Sequence, residues 1–430
     1  MMKKNVHWLL SELEAWVQEG IINDTQARAI RSRYSAPEQA GTWGRIAFAS
    51  FGAILIGLGI ILLFAYNWDK MHKFAKLGVV FVALIAAHGA ALGVKRPATS
   101  QTLHLLGTMF FGAGIWLVAQ IYHINEHYPN AFLVWGAGAL ALAWVLPSLP
   151  QALMATLLLV LWNGFESYGF HSPNYAAPLT ILFGILPLAF IMRSRVLLPA
   201  GLAAFLFTLF SLLTQVGSHL VIPLFLSVAA ALVAVGLILK QNELAPELAP
   251  PCFFFGSTLS VFLVYLLTFL SAREALLYLS REKAHDLWFP VFLVIATGLW
   301  VATLWPFRDL RERFVHGFRW DHLVAPLALL VYTLQYFGIL KLQGLLATAP
   351  YNLLILFSAI MQMQRGFRDL NLRAAVLGSL LLSALAIARY TDLFQSLLAR
   401  AAVFLLVGGM MLGVGIFFAR SRREQKETSR

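Results

Sequence analysis

Windows of about 20 mainly apolar residues recur along the chain from residue 45 to residue 419, and lipid is the environment that accommodates so much apolar length. A helix crosses a hydrocarbon core of roughly 30 Å in about 20 residues, and unpaired backbone is not tolerated there. The windows 45–67, 74–94, 102–122, 130–146, 149–165, 175–192, 196–214, 219–239, 250–270, 287–305, 322–340, 349–364, 372–388 and 396–419 fit that length, with 149–165 and 349–364 the shortest fits. They predict an all-α, polytopic transmembrane helix bundle of about 14 spans. Composition agrees: 60% of the residues are hydrophobic and 12% charged, where soluble domains carry roughly a quarter charged.

The basic residues give the bundle a direction. With the N-terminus in the cytoplasm, 23 of the 32 Lys and Arg fall on the inner side and 9 on the outer side. Positive charge collects on the cytoplasmic face of membrane proteins, so both termini are expected inside. The same rule accounts for the excess of 32 bases over 20 acids without a nucleic-acid partner. The single cysteine, Cys252, excludes an internal disulfide, and no zinc-spaced Cys/His cluster is present. No secretory signal is visible in the first 44 residues, so the first span is expected to act as its own insertion signal.

Residues 1–44 are expected to form a cytosolic amphipathic hairpin and linker. Trp8, Leu9, Leu13, Trp16 and Val17 make one apolar stripe, Gly20 stops the first helix, and Asn23 with Gln26 sets a capping-box start for the second. Residues 45–147 read as two duplicated helix hairpins, 148–420 as the remaining membrane helices and 421–430 as a basic cytosolic tail. The duplication rests on a pattern G-x-x-x-x-G-x-G-I found at Gly52, Gly57 and Gly59, at Gly107, Gly112 and Gly114, and at Gly408, Gly413 and Gly415. Small residues let helices approach closely where lipid provides no apolar driving force, so these nine glycines are expected to be packing positions. Pro178, Pro187, Pro199, Pro223, Pro290 and Pro326 are expected to kink or break their helices.

Several of these stretches together resemble a known family. "EGIINDTQARAI", a glycine-rich first span ending "AYNWDK", "HLLGTMFFGAGIWLVAQIYHI" and the late "ARYTDLFQSLLARAAVFLLVGGMMLG" are similar to the predicted bacterial membrane proteins of domain-of-unknown-function family 2157. The likeness covers roughly the first 150 residues and the C-terminal motif. It implies a bacterial cytoplasmic (inner) membrane protein and assigns no activity.

Candidate chemistry gathers at the outer helix ends. Asn67, Trp68, Asp69, Glu166, Arg389, Asp392 and Arg400 all fall there under the expected topology, and a desolvated acid–arginine site among them would make a substrate-binding mouth. The alternative reading of the same residues is an aromatic belt of Tyr66, Trp68, Tyr122 and Tyr390 beside solvated charges. "HINEH" places His123 and His127 at the H-x-x-E-H spacing of one metalloprotease class, weak candidates for a metal. His88, within a span, reads as a hydrogen-bonded packing residue, and the loop "RDLRERFVHGFRWDH" as a solvated inner loop. No cofactor is implied.

Three functions fit. The first is a transporter or flippase-like carrier of a small or amphiphilic substrate with an outward polar mouth. The second is a non-catalytic scaffold or sensor presenting the N-terminal hairpin to a cytosolic protein partner. The third is an enzyme acting on a lipid-linked substrate at the outer face through Asp69, Glu166 and Arg389. Membrane lipids are expected partners of all three.

Overall fold

The computed structural model describes residues 12–34, 72–124, 127–269, 288–304, 320–342 and 344–393, with scattered positions between 48 and 62 and between 405 and 413. Asn67, Trp68, Asp69, Arg400, Gly57 and Gly415 lie outside the described residues, as does most of the first and last windows. Among the described residues the chain is all-helical, with no strand. It divides into two compact units, Met1–Gln151 and Ala152–Arg430.

In unit 1, a short helix α1 (12–18) and α2 (Asp24–Tyr34) form the hairpin. Gly20 adopts a left-handed φ of 73°, and Ile21 N–H bonds Trp16 O at 2.9 Å, which ends α1 as a glycine stop does. The capping box forms: Asn23 N–H donates to Gln26 Oε1 at 3.0 Å, and Gln26 N–H to Asn23 Oδ1 at 2.8 Å. Then follow α3 (Lys73–Gly93), α4 (Pro97–Ile121) and α5 (Pro129–Val145), with α4 packed on both others.

The helix α6 (Leu149–Gly164) crosses the unit boundary and ends in a π-turn, Phe165–Gly169. Unit 2 continues with α7 (Ala176–Ile191), α8 (Leu197–Val216), α9 (Val221–Gln241), α10 (Ala249–Leu267), α11 (Trp288–Leu304), α12 (Val324–Tyr336), α13 (Ala349–Arg368) and α14 (Leu372–Leu393). Its centre is α9, which packs on α10, α11 and α12 and has 72% of its apolar window buried. Trp300 of α11 donates its indole N–H to Ala230 O at 3.0 Å, fixing α11 against that core.

By length and composition six described helices can cross a membrane: α3, α4, α8, α9, α10 and α14. Three shorter apolar helices, Pro129–Val145, Ala176–Ile191 and Phe289–Thr303, accompany them. The count of about 14 spans is therefore met only in part. Helices do form at most windows, but α12 has 13 residues, and α13 carries Gln362, Gln364 and Arg365 among its apolar positions.

The prolines correct the expectation of general kinking. Pro199, Pro223, Pro290 and Pro326 all fall in the first turns of their helices, where no intrahelical N–H is needed and nothing is broken. Among these proline-bearing helices α7 is distorted, widening to a π-turn over Ile181–Ile185. Pro187 follows two residues after the turn and has no N–H for the carbonyl four residues earlier, so the chain bulges around its ring.

Cross-helix bonds within unit 2 define two levels. Arg389, near the end of α14, reaches Thr268 at the end of α10, and Tyr265 Oη donates to Ala384 O at 3.3 Å. Gln215 at the end of α8 donates to Ser167 O beyond α6 at 3.0 Å. At the opposite level, Arg193 after α7 bonds Leu244 O between α9 and α10, and Arg365 at the end of α13 meets Asp321 just before α12. These pairs fit an up-and-down alternation of α6 to α10 and of α12 to α14.

Candidate functional site

A charged recess of unit 2 runs along α10 and α14 and is a groove of about 1000 Å³. Its lining reaches from Lys240, Pro246, Asp321 and Arg365 at one level to Tyr265 and Ala384 near the other. From Ala249 to Tyr265 the wall of α10 rises about 24 Å at 1.5 Å per residue, close to the hydrocarbon thickness of a bilayer. Phe254, Phe262 and Leu377 line it and remain exposed, so the groove opens sideways toward the surface that lipid would cover.

The polar end is built from three elements. Arg365 Nη1 lies 3.3 Å from Asp321 Oδ2, with side-chain exposures of only 22% and 12%. His322 is 3% exposed, and its ring stacks on Phe253 with centroids 4.4 Å apart and planes at 16°. A side chamber of about 20 Å³ leads inward past Ser257, Ser260, Ser358 and Gln362. A polar cavity of that size holds about one water molecule. Gln362 Nε2 donates to Ser358 Oγ at 3.2 Å, and Ser260 Oγ donates to Gly256 O at 2.7 Å, leaving their hydroxyl oxygens able to accept.

Reading the chain missed this cluster. Asp321 and His322 belong to the loop expected to be solvated, yet Asp321 is half-buried and His322 buried against α10 and α13. A signal was present: Gln362 and Arg365 stand three residues apart on an amphipathic helix, and alternation puts them at the same level as that loop.

The expected outer-end residues are placed as follows. Glu166 sits in the π-turn after α6, 8% exposed, and accepts the Trp162 indole N–H at 3.3 Å. Beside it, Asn163 and Ser167 are fully buried. Arg389 Nη2 donates to Thr268 O at 2.7 Å and its guanidinium lies 5.8 Å from the Phe269 ring centroid. It thus caps the carbonyl end of α10, where a cation is favoured by the helix dipole. Asp392 falls in α14, with its side chain outside the described residues. Replacing Arg389 by methionine is expected to lower stability by about 1.5 kcal/mol, with Arg389→Lys intermediate, as read by thermal unfolding in detergent.

The H-x-x-E-H expectation fails on geometry. The helix α4 ends at Ile121, His123 turns left-handed at φ 53°, and Ile124 N–H closes back on Ala119 O at 2.8 Å. His123 and His127 therefore do not share a helical face. Among the described residues no group of three or more metal-ligating side chains forms.

Unit 1 holds a groove of similar size, about 950 Å³, between α3, α4 and α5, but among the described residues no acid, lysine or arginine lines it. Its buried polar feature is a histidine pair: His88 Nδ1 and His104 Nδ1 are 2.9 Å apart, one donating to the other. The pair fits over Gly107, where a Cβ would lie 2.5 Å from His88 Nε2. At Gly112 a Cβ would lie 2.2 Å from Trp135 Cε2, and at Gly114 3.2 Å from Val80 Cγ1. Around Gly52, Gly59, Gly408 and Gly413 no described atom comes within 4 Å of such a Cβ. The repeated glycines thus pack closely in α4, and the described residues show no equivalent contact for the other two copies.

Six membrane-length apolar helices, with a laterally open groove ending in an ion pair, define a helical multi-pass membrane protein. Residues 14–152 match the family described as Predicted membrane protein (DUF2157), and that match ends where unit 2 begins. No curated protein and no solved structure matches the chain.

Proposed function

We propose that the protein is a flippase-like carrier whose second unit receives an amphiphile with an anionic head sideways from the bilayer. The observation that carries this reading is the joining of an apolar wall of bilayer length to a half-buried Arg365–Asp321 pair at one end of it. Lys240 and Arg365 against Asp321 leave that end with one net positive charge, which complements an anionic head. The exposed rim residues Phe254 and Phe262 supply contact for acyl chains. In this reading the charged end lies on the cytoplasmic side of a bacterial inner membrane, both termini are cytoplasmic, and the substrate mouth is the inner one rather than the outer one first expected.

Equal amounts of phosphatidylglycerol and phosphatidylcholine offered to the purified protein test it. Native mass spectrometry should show phosphatidylglycerol retained through delipidation, with retention falling about tenfold in the Lys240→Gln, Arg365→Gln double variant, as expected for loss of two charge-assisted contacts. In vesicles, labelled phosphatidylglycerol should change leaflet faster than in protein-free controls. Equal retention of both lipids, unaltered by the double variant, would mean that the groove merely meets bulk lipid. In that event the scaffold reading, supported by the self-capped α1–α2 hairpin, would take its place.

A further inference from the structure

Resting on that reading, we propose that seating an anionic head on Arg365 is coupled to uptake of one proton by Asp321. The juxtaposition behind it is a carboxylate with 12% side-chain exposure, 3.3 Å from the guanidinium that would take the head, at the polar end of a largely apolar groove. An arriving anion changes the surroundings of Asp321 in two ways of the same sign. It competes for the guanidinium, and it adds a like charge within a few ångströms of the carboxylate. Whatever its other contacts, the carboxylate loses attraction and gains repulsion while staying buried, and both changes favour its protonated form. Linkage is reciprocal, so protonation of Asp321 frees Arg365 and tightens the hold on the head.

Among the described residues, the other titratable groups lining this end come from each neighbouring element. Lys240 is contributed by α9, His322 by the turn before α12 and Arg365 by α13; α10 supplies only the Tyr265 phenol toward the far end, and α14 supplies Leu377, Leu381 and Ala384, none of them charged. Among the described lining residues His322 is the rival proton acceptor, and its ring is stacked flat on Phe253. The water-sized chamber lined by Ser257 and Ser260 touches both Asp321 and His322, giving the proton an internal route between them.

The probe is phosphatidylglycerol, whose phosphodiester keeps its charge between about pH 5 and 8, titrated into the detergent-solubilised full chain. Affinity should fall as pH rises, by up to roughly tenfold per unit across the linked range, as expected for one proton. Calorimetry in two buffers of different ionisation enthalpy should give a heat difference equal to uptake of up to one proton per lipid; this measurement needs no variant. Asp321→Asn should hold the lipid with a flat pH profile, while His322→Gln should keep the slope. Binding at one affinity from pH 5 to 8 with no buffer-dependent heat overturns the coupling and leaves the groove reading standing. A slope that survives Asp321→Asn also overturns it. Absence of binding at every pH overturns both.

Discussion

Replacing Gly366 by leucine is expected to separate the α13–α14 hairpin and cost about 3 kcal/mol, near the upper end for overpacking. A Cβ at this position would stand 2.4 Å from Ala375 N and 2.6 Å from Ala375 Cα, so the obstacle is backbone and no rotamer change relieves it. Gly378 repeats the approach from the other helix, 2.7 Å from Ala359 O. Because Arg365 precedes Gly366, the displaced helix would also draw Arg365 away from Asp321. Thermal unfolding in detergent and the loss of groove binding should therefore move together. An unaltered unfolding midpoint would show that the two helices do not touch here. Gly366→Ala, with the smallest side chain, should still be clearly destabilised.

Gly112→Leu should be the most damaging single change within the family-matched region, at about 2 to 3 kcal/mol. The neighbour here is a side chain, the Trp135 ring, with Cε2 2.2 Å from the hypothetical Cβ. That ring cannot slide freely, because its indole N–H donates to Thr108 O at 2.8 Å, and Thr108 Oγ1 in turn donates to Gln151 Oε1 at 3.0 Å. Moving Trp135 breaks the first bond and disturbs the second. Leucine at Gly413, in the same register of the last glycine repeat, meets no described atom within 4 Å and should change stability by less than about 0.5 kcal/mol. Thermal unfolding of the two variants side by side checks the contrast; equal losses would mean that sequence register alone decides packing.

That contrast shows what reading the chain could and could not reach. The apolar windows were legible because spanning length is a local property: Lys73–Gly93 and Leu197–Val216 lie almost where hydrophobicity alone puts them. The Gly20 stop and the Asn23–Gln26 cap were legible for the same reason, each being complete within six residues. Glycine register was not sufficient, since close packing needs a partner helix, and among the described residues His88 and Trp135 supply it for α4 alone. His104, the partner of His88, lies 16 positions away and carries no local mark. The groove's polar end was hardest to see. Asp321 and Arg365 are 44 positions apart, and the acid sat in a run of charges that reads as solvated until α10 and α13 close over it.

The central helix α9 has a consequence for how unit 2 is made. It leaves the ribosome before α10, α11 and α12, the three helices that later enclose it. Until they arrive its flanks face acyl chains, and the same flanks must afterwards suit a protein interior. An apolar surface on every side meets both conditions, and Ser227, the polar side chain in its middle, donates to Pro223 O at 2.8 Å one turn back. Between its ends the helix exposes no side-chain hydrogen-bonding group that must wait for a neighbour still to be synthesised.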